Sequence, residues 1–266
     1  MPKVSIGDAE IYYEEAGAGE PLLLVPGLSG QGSFWAPQVE AFRRDFRVIV
    51  HDHRGAGRST HSPIKYSVEQ MADDVLKLMD ALGIASAHLV GHSTGGAIGQ
   101  VIALDHPERL RSLVLSATWA GPDPYFRRLF ESRKGVLLGQ GLEAYLRASV
   151  LVLAPPDWVS RNDATIAELH RAQAASWPPA EIVASRIDAI VAFDRRARLG
   201  EIRVPSLVIV AQDDLVTPRF YSDELAKAVA GAAYVVLPGG GHYAPQIMAE
   251  AYNRAVGDFL RAHRGR

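Results

Sequence analysis

Short, nearly unbroken apolar runs rich in Val, Ile and Leu recur along this chain, separated by longer amphipathic segments. That alternation fixes most of what the chain can fold into. The runs are Leu22–Val25, Val48–His51, His88–Val90, Leu113–Leu115, Leu207–Val210 and Tyr234–Leu237. A strand with one wet face alternates apolar and polar residues, whereas a continuous run belongs to a strand covered on both faces. Helices are expected at Phe34–Arg43, Val68–Leu82, Gly95–His106, Tyr221–Val229 and Ala249–Arg261. Within Val68–Leu82, Met71, Val75, Leu78, Met79 and Leu82 share one face, with Ser67 placed to cap the start and Gly83 to stop the end. Strand–helix alternation of this kind predicts an α/β fold, a mainly parallel sheet with helices on both sides.

Two stretches depart from the pattern. At the start, Val4–Ile6 and Ile11–Tyr13, joined through Gly7-Asp8, read as a hairpin adding an antiparallel edge. Between about Trp119 and Gly200 there is no convincing strand. This region is helical in character, is interrupted at Pro155-Pro156 and Pro178-Pro179, and carries three of the four tryptophans. It is expected to be an inserted helical cap, residues 119–199, on a core made of residues 1–118 and 200–266.

The remaining composition excludes several functions. With no cysteine among 266 residues, disulfides, thiolate catalysis and cysteine-based metal sites are excluded. A formal net charge of −2 gives no electrostatic footprint for nucleic acid or an anionic membrane. No signal-peptide pattern opens the chain, and its apolar runs are too short to span a bilayer. The expectation is a soluble, cytoplasmic protein that acts on a small molecule, with no cofactor and no metal.

The strand His88–Val90 leads into Gly91-His92-Ser93-Thr94-Gly95-Gly96, and a helix-like segment follows. Gly-x-Ser-x-Gly between strand and helix is the pattern of a serine held on a sharp, strained turn. Side chains two residues to either side of Ser93 would collide there, and Gly91 and Gly95 remove them. The helix N-terminus places partial positive charge beside the serine, which favours an alkoxide-like state. A serine hydroxyl also needs a base, and that base needs an orienting carboxylate. Asp213-Asp214 follow the strand Leu207–Val210, and His242 follows Tyr234–Leu237 in Gly239-Gly240-Gly241-His242. Both lie just past strand C-termini, where an open parallel sheet builds its site. The glycines are expected to leave His242 on a mobile, unobstructed loop.

Two backbone donors are expected to face a developing oxyanion: the N–H of Thr94, and that of Leu28 in Pro26-Gly27-Leu28-Ser29-Gly30. Leu28 equally suits a pocket wall. His51-x-His53 has the spacing of a metal pair, but no further ligand cluster stands near it. Asp52 and Arg54 are better read as tying a structural turn.

Together, Pro26-Gly27-Leu28, Asp52-x-Arg54-Gly55-x-Gly57-x-Ser59, Gly91-His92-Ser93-x-Gly95, Asp214 and Gly241-His242 resemble the α/β-hydrolase superfamily over nearly the whole chain. Within it, the sequence looks most like small enol-lactonases and aminoacrylate or carbamate hydrolases. Ser33-Phe34-Trp35-x-Pro37-Gln38 and Pro156-Asp157-Trp158 point to the second group. Some of that group lack serine at the nucleophile position; Ser93 is present here, which implies ordinary acyl-enzyme chemistry. The resemblance implies a triad of Ser93, Asp214 and His242, since Asp214 matches the family spacing to Pro218 better than Asp213 does. Some relatives carry the acid at the position of residue 118, which here is Thr118. The implied activity is hydrolysis of a small carboxylic ester or lactone. C–N or C–C hydrolysis, cofactor-free haloperoxidation and a slow-turnover receptor-like protein are the alternatives. Trp119, Tyr125, Phe126, Trp158 and Trp177 are candidates to shape the pocket, or equally to fill the cap core. Arg127 and Arg128 read as solvated surface rather than as a carboxylate clamp.

Overall fold

The computed structural model describes residues 2–265. Its strands are β1 (Lys3–Ser5), β2 (Glu10–Ala16), β3 (Glu20–Val25), β4 (Phe46–His51), β5 (Ala87–His92), β6 (Leu110–Ser116), β7 (Ser206–Ala211) and β8 (Ala233–Leu237). They form one sheet in the order β1-β2-β4-β3-β5-β6-β7-β8. From β4 to β8 every neighbouring pair is parallel. The opening hairpin is present, and β2 runs on to Ala16 so that it pairs antiparallel with β4 as well as β1.

Successive side chains of a strand point to opposite faces, and the six core strand segments use both. Leu23, Val25, Ile49 and Leu89 pack with the helix α2 (Val68–Ala81), whereas Leu22, Leu24, Val48 and Val90 pack under α1 (Ala36–Phe42) and α11 (Ala249–Ala262). In α11, Tyr252, Val256 and Leu260 are buried at intervals of one turn, which is the stripe a sheet-covering helix needs. Ser67 caps α2 as expected, its Oγ accepting the Gln70 N–H at 3.1 Å.

Most element boundaries differ from the sequence reading by a few residues, and at two of them the local reason is plain. The helix expected from Phe34 begins as a 3-10 turn at Gly32–Trp35, and regular helix starts only at Ala36. Pro37 lacks an N–H and is tolerated only in the first turn, which sets that start. Strand β5 runs past Val90 to His92, because His92 stays in register with Ser116 of β6.

Between β6 and β7 lie α4 (Pro124–Gln140), α5 (Leu142–Leu153), α6 (Pro156–Arg161), α7 (Asp163–Ala174) and α8 (Ala180–Ala192), with no strand among the described residues. The prolines start helices here: Pro155 caps α6, and Pro179 caps α8. Phe126, Phe130, Ile187 and Ile190 join the apolar cluster that contains Leu89 and Leu113, so these helices are seated on the sheet. Among the described residues no helix is long and apolar enough to cross a membrane.

The strand order reverses at β3, which has β4 on one side and β5 on the other. In open α/β sheets that reversal opens a crevice at the strand C-termini. The loop after β3 and the turn after β5 meet there.

Candidate active site

Ser93 sits between β5 and α3 (Thr94–Asp105) with φ of +55° and ψ of −117°, one of two non-glycine residues with positive φ among those described. Such a conformation persists only where its surroundings over-determine it. Here the Ser93 N–H donates to Ser116 C=O at 2.8 Å, and the Ser93 C=O accepts from Thr118 Oγ1 at 2.8 Å and Gly96 N–H at 2.9 Å. The flanking glycines are required by contact. A Cβ on Gly91 would lie 2.2 Å from Gly95 O, and one on Gly95 would lie 2.1 Å from Val25 O. The turn therefore closes on itself and against the end of β3.

The loop after β3 reaches the same point, since a Cβ on Gly27 would stand 3.2 Å from the Ser93 Cβ. Gly30 N–H donates to Gly27 C=O at 3.0 Å, closing a turn with Leu28 at its first corner. Thr94 is the first residue of α3. Its amide is among the helix N–H groups that have no partner within the helix.

Past β7, Asp214 is buried and accepts N–H donors from Val216 at 2.8 Å and Thr217 at 3.0 Å, and the Thr217 hydroxyl at 3.0 Å. Its Oδ2 lies 2.8 Å from His242 Nδ1. Asp213 instead accepts the backbone N–H of Gly241 at 2.9 Å. His242 is therefore not on the free loop expected from its glycines. It is buried in a short 3-10 turn, Gly241–Tyr243, tied by Asp213 and continued by α10 (Ala244–Ile247).

Ser93 and His242 line one cavity together with Gly27, Leu28, Phe34 and His92. Nothing local in the sequence marks His92 for a role of its own. Its ring stacks on Phe34 with centroids 4.9 Å apart and lies 4.6 Å from the His242 ring. Complete burial, with the charge of His242 beside it, holds the His92 imidazole well below its usual pKa. A neutral ring there leaves the imidazolium form of His242 without a like charge against it.

The segment between β6 and β7 contributes Phe130, Arg133, Tyr145, Trp177, Val183 and Arg186 to the wall, Trp177 from the turn between α7 and α8. Of the pocket candidates, Trp177 lines this cavity. Trp158 lines an adjoining outer cavity with Asp52, Arg58 and His170. Trp119 and Tyr125 do not line the Ser93 cavity among the described residues. Trp119 lies three residues past the end of β6 and is sealed by Phe126 at 4.6 Å and Phe193 at 6.1 Å. Tyr125 faces outward and bonds to the Leu215 carbonyl. Arg127 and Arg128 are exposed.

The His51 and His53 rings lie with centroids 5.1 Å apart, tilted by 31°, yet no group of three or more His, Asp or Glu that could hold a metal occurs among the described residues. Asp52 accepts from Gly32 N–H and Arg58 N–H, both at 2.9 Å, and Arg54 pairs with Asp74 and Asp8. Both residues tie the loop, as read from the sequence.

Comparison with known proteins agrees with this architecture. A family model described as "alpha/beta hydrolase fold" matches residues 20–245. A protein of Azorhizobium caulinodans named "Putative carbamate hydrolase RutD" is 41% identical over 256 residues, covering 96% of this chain and 97% of its own. One of the same name from Caulobacter vibrioides is 41% identical over 266 residues, covering 98% and 99%. The crystal structure of the enol-lactonase from Burkholderia xenovorans superposes with a TM-score of 0.91 at 32% identity, covering 98% of this chain and all of that one. With the fold, the strained serine turn and these likenesses together, the chain belongs to the α/β-hydrolase family.

Proposed function

We propose that this hydrolase works through Ser93 as nucleophile, His242 as general base and Asp214 as the carboxylate that orients it. The observation that carries the reading is the 2.8 Å contact between Asp214 Oδ2 and His242 Nδ1. It holds the Nδ1 proton toward the acid and leaves Nε2 as the basic nitrogen in the cavity shared with Ser93. His242 takes the hydroxyl proton as Ser93 Oγ attacks a carbonyl carbon. The oxyanion is met by the N–H groups of Leu28 and Thr94, reinforced by the N-terminus of α3. His242 then protonates the leaving group, and next activates the water that clears the acyl-enzyme. Residues 119–199 act as a cap that shapes the acyl pocket, with Trp177 and Tyr145 in its wall.

The names of the relatives at 41% identity favour a carbamate C–N bond as the one cleaved. The enol-lactonase likeness favours a lactone, or an ester of similar size. Either bond lies at an acyl carbon bearing a heteroatom leaving group, and attack there is what this geometry suits. The test is a panel of small carbamates, enol-lactones and p-nitrophenyl esters, given to wild type and Ser93→Ala. Turnover of at least one class, lost in Ser93→Ala, is expected. Turnover that survives Ser93→Ala, or none on any class, sinks the reading.

A further inference from the structure

The cavity around Ser93 holds two arginines and, among the described residues lining it, no Asp or Glu. This is unusual within the molecule. The other buried arginine, Arg54, meets two acids, Asp8 and Asp74. Arg186, on α8, is 1% exposed, yet its hydrogen-bond partners are all neutral. Its Nη1 donates to Arg54 C=O at 2.7 Å, and its Nη2 donates to Leu28 C=O at 3.1 Å and His53 Nδ1 at 3.0 Å. His53 is held neutral, its pKa kept well below the usual value by burial and the nearby arginine, so its Nδ1 accepts from Arg186 without adding a second positive charge. Arg133, on α4, donates to Ser149 Oγ at 3.3 Å and Tyr145 Oη at 3.0 Å, with its guanidinium over the rings of Phe130 and Tyr145.

Withdrawing a guanidinium from water is unfavourable, and neutral acceptors offset that only in part. Each guanidinium carries five N–H donors in a rigid fork, and these bonds occupy three on Arg186 and two on Arg133. Desolvation lowers the Arg186 pKa only to about 10, so it remains charged at neutral pH. Asp214 lies behind His242 and accepts its Nδ1 proton, so it balances the histidine rather than the arginines. The cavity wall is therefore cationic within a chain of formal net charge −2.

We propose that Arg133 and Arg186 select a small substrate with an anionic carboxylate-type group close to the carbonyl that Ser93 attacks. The substrate supplies the negative charge that the cavity lining lacks, since Asp74, the acid that also acts on Arg186, is already paired with Arg54. Arg186 also touches the Leu28 carbonyl, so an anion bound there bears directly on the loop that carries the Leu28 N–H. This rests on the Ser93 reading for where the reacting carbonyl lies, but the binding itself does not require turnover.

The experiment uses Ser93→Ala full-length protein and titration calorimetry with monomethyl succinate against methyl butyrate, its neutral counterpart. The half-ester is expected to bind at least tenfold more tightly, by a margin that shrinks as NaCl rises. Adding Arg133→Gln is expected to reduce that margin at least fivefold, and Arg133→Lys to keep part of it. Arg186→Lys, chosen over Gln to keep a buried donor to the Leu28 loop, is expected to weaken the half-ester selectively. Equal binding of the two ligands, or a margin unchanged in Arg133→Gln, overturns the proposal. The nucleophile is scored separately by turnover of the same esters in wild type. Ser93-dependent turnover without anion preference overturns the arginine assignment alone. Anion preference without such turnover overturns the nucleophile alone.

Discussion

The carboxylate of Asp214 meets His242 Nδ1 at 2.8 Å, while the acid next to it in sequence holds only the backbone beside that histidine. Adjacent carboxylates thus divide the work, one orienting the ring and the other closing its turn. Asp214→Asn should lower kcat/KM by roughly 10³–10⁴-fold, since the amide favours the wrong imidazole tautomer. Asp213→Asn keeps an acceptor for Gly241 N–H and should lose less than tenfold. Steady-state kinetics on both variants checks the division, and equal losses would contradict it.

Acid should destabilise the protein through its buried histidines. Burial depresses the His51 pKa to about 4 and pushes those of His53 and His92 well down. The unfolded chain therefore binds more protons than the folded one below pH 6.5. The stabilising contribution is complete above that pH and is lost as pH falls toward 4. His51 alone accounts for about 3 kcal/mol of this loss by pH 4, at 1.36 kcal/mol per pKa unit. Urea midpoints between pH 7 and pH 4 read it, and His51→Gln should flatten the slope.

Glycines at two positions should respond in opposite directions to alanine. Gly95→Ala places a Cβ 2.1 Å from Val25 O, a backbone atom that cannot yield, and should cost at least about 3 kcal/mol with loss of activity. Gly135 is exposed within α4, where an added Cβ would meet nothing within 4 Å, so Gly135→Ala should stabilise by about 0.5–1 kcal/mol. Thermal unfolding of the two variants distinguishes a packing requirement from a spare glycine.

How much was legible in the sequence depended on whether a residue announces its surroundings locally. Ser93 does, because paired glycines fix its neighbours within two positions, whereas strand ends only locate the Asp213-Asp214 pair and His242, and the choice of Asp214 comes from the family spacing. The helical stretch between β6 and β7 was also visible, since strand-like runs stop there. Phe34, His92, Arg133 and Arg186 do not announce themselves, because their importance lies in partners far away in the chain. Arg186 stands out only when its acceptors are seen to be Leu28, Arg54 and His53 rather than an acid. The sequence leaves Trp119 and Tyr125 open between core and cavity for the same reason, and Phe126 and Phe193 pack against Trp119 away from the Ser93 cavity. The glycines before His242 suggested freedom, whereas the tie from Asp213 to Gly241 comes from another strand.

The central claim, that chemistry passes through Ser93, is tested most directly by intact-protein mass spectrometry during turnover of a slowly hydrolysed carbamate or ester. Wild type should gain the mass of one acyl group, located on the peptide containing Ser93, and more of it should persist in His242→Ala for as long as acylation still proceeds. Ser93→Ala should gain none. Product release with no adduct in wild type under rapid quench, or an adduct on any other residue, would contradict the account.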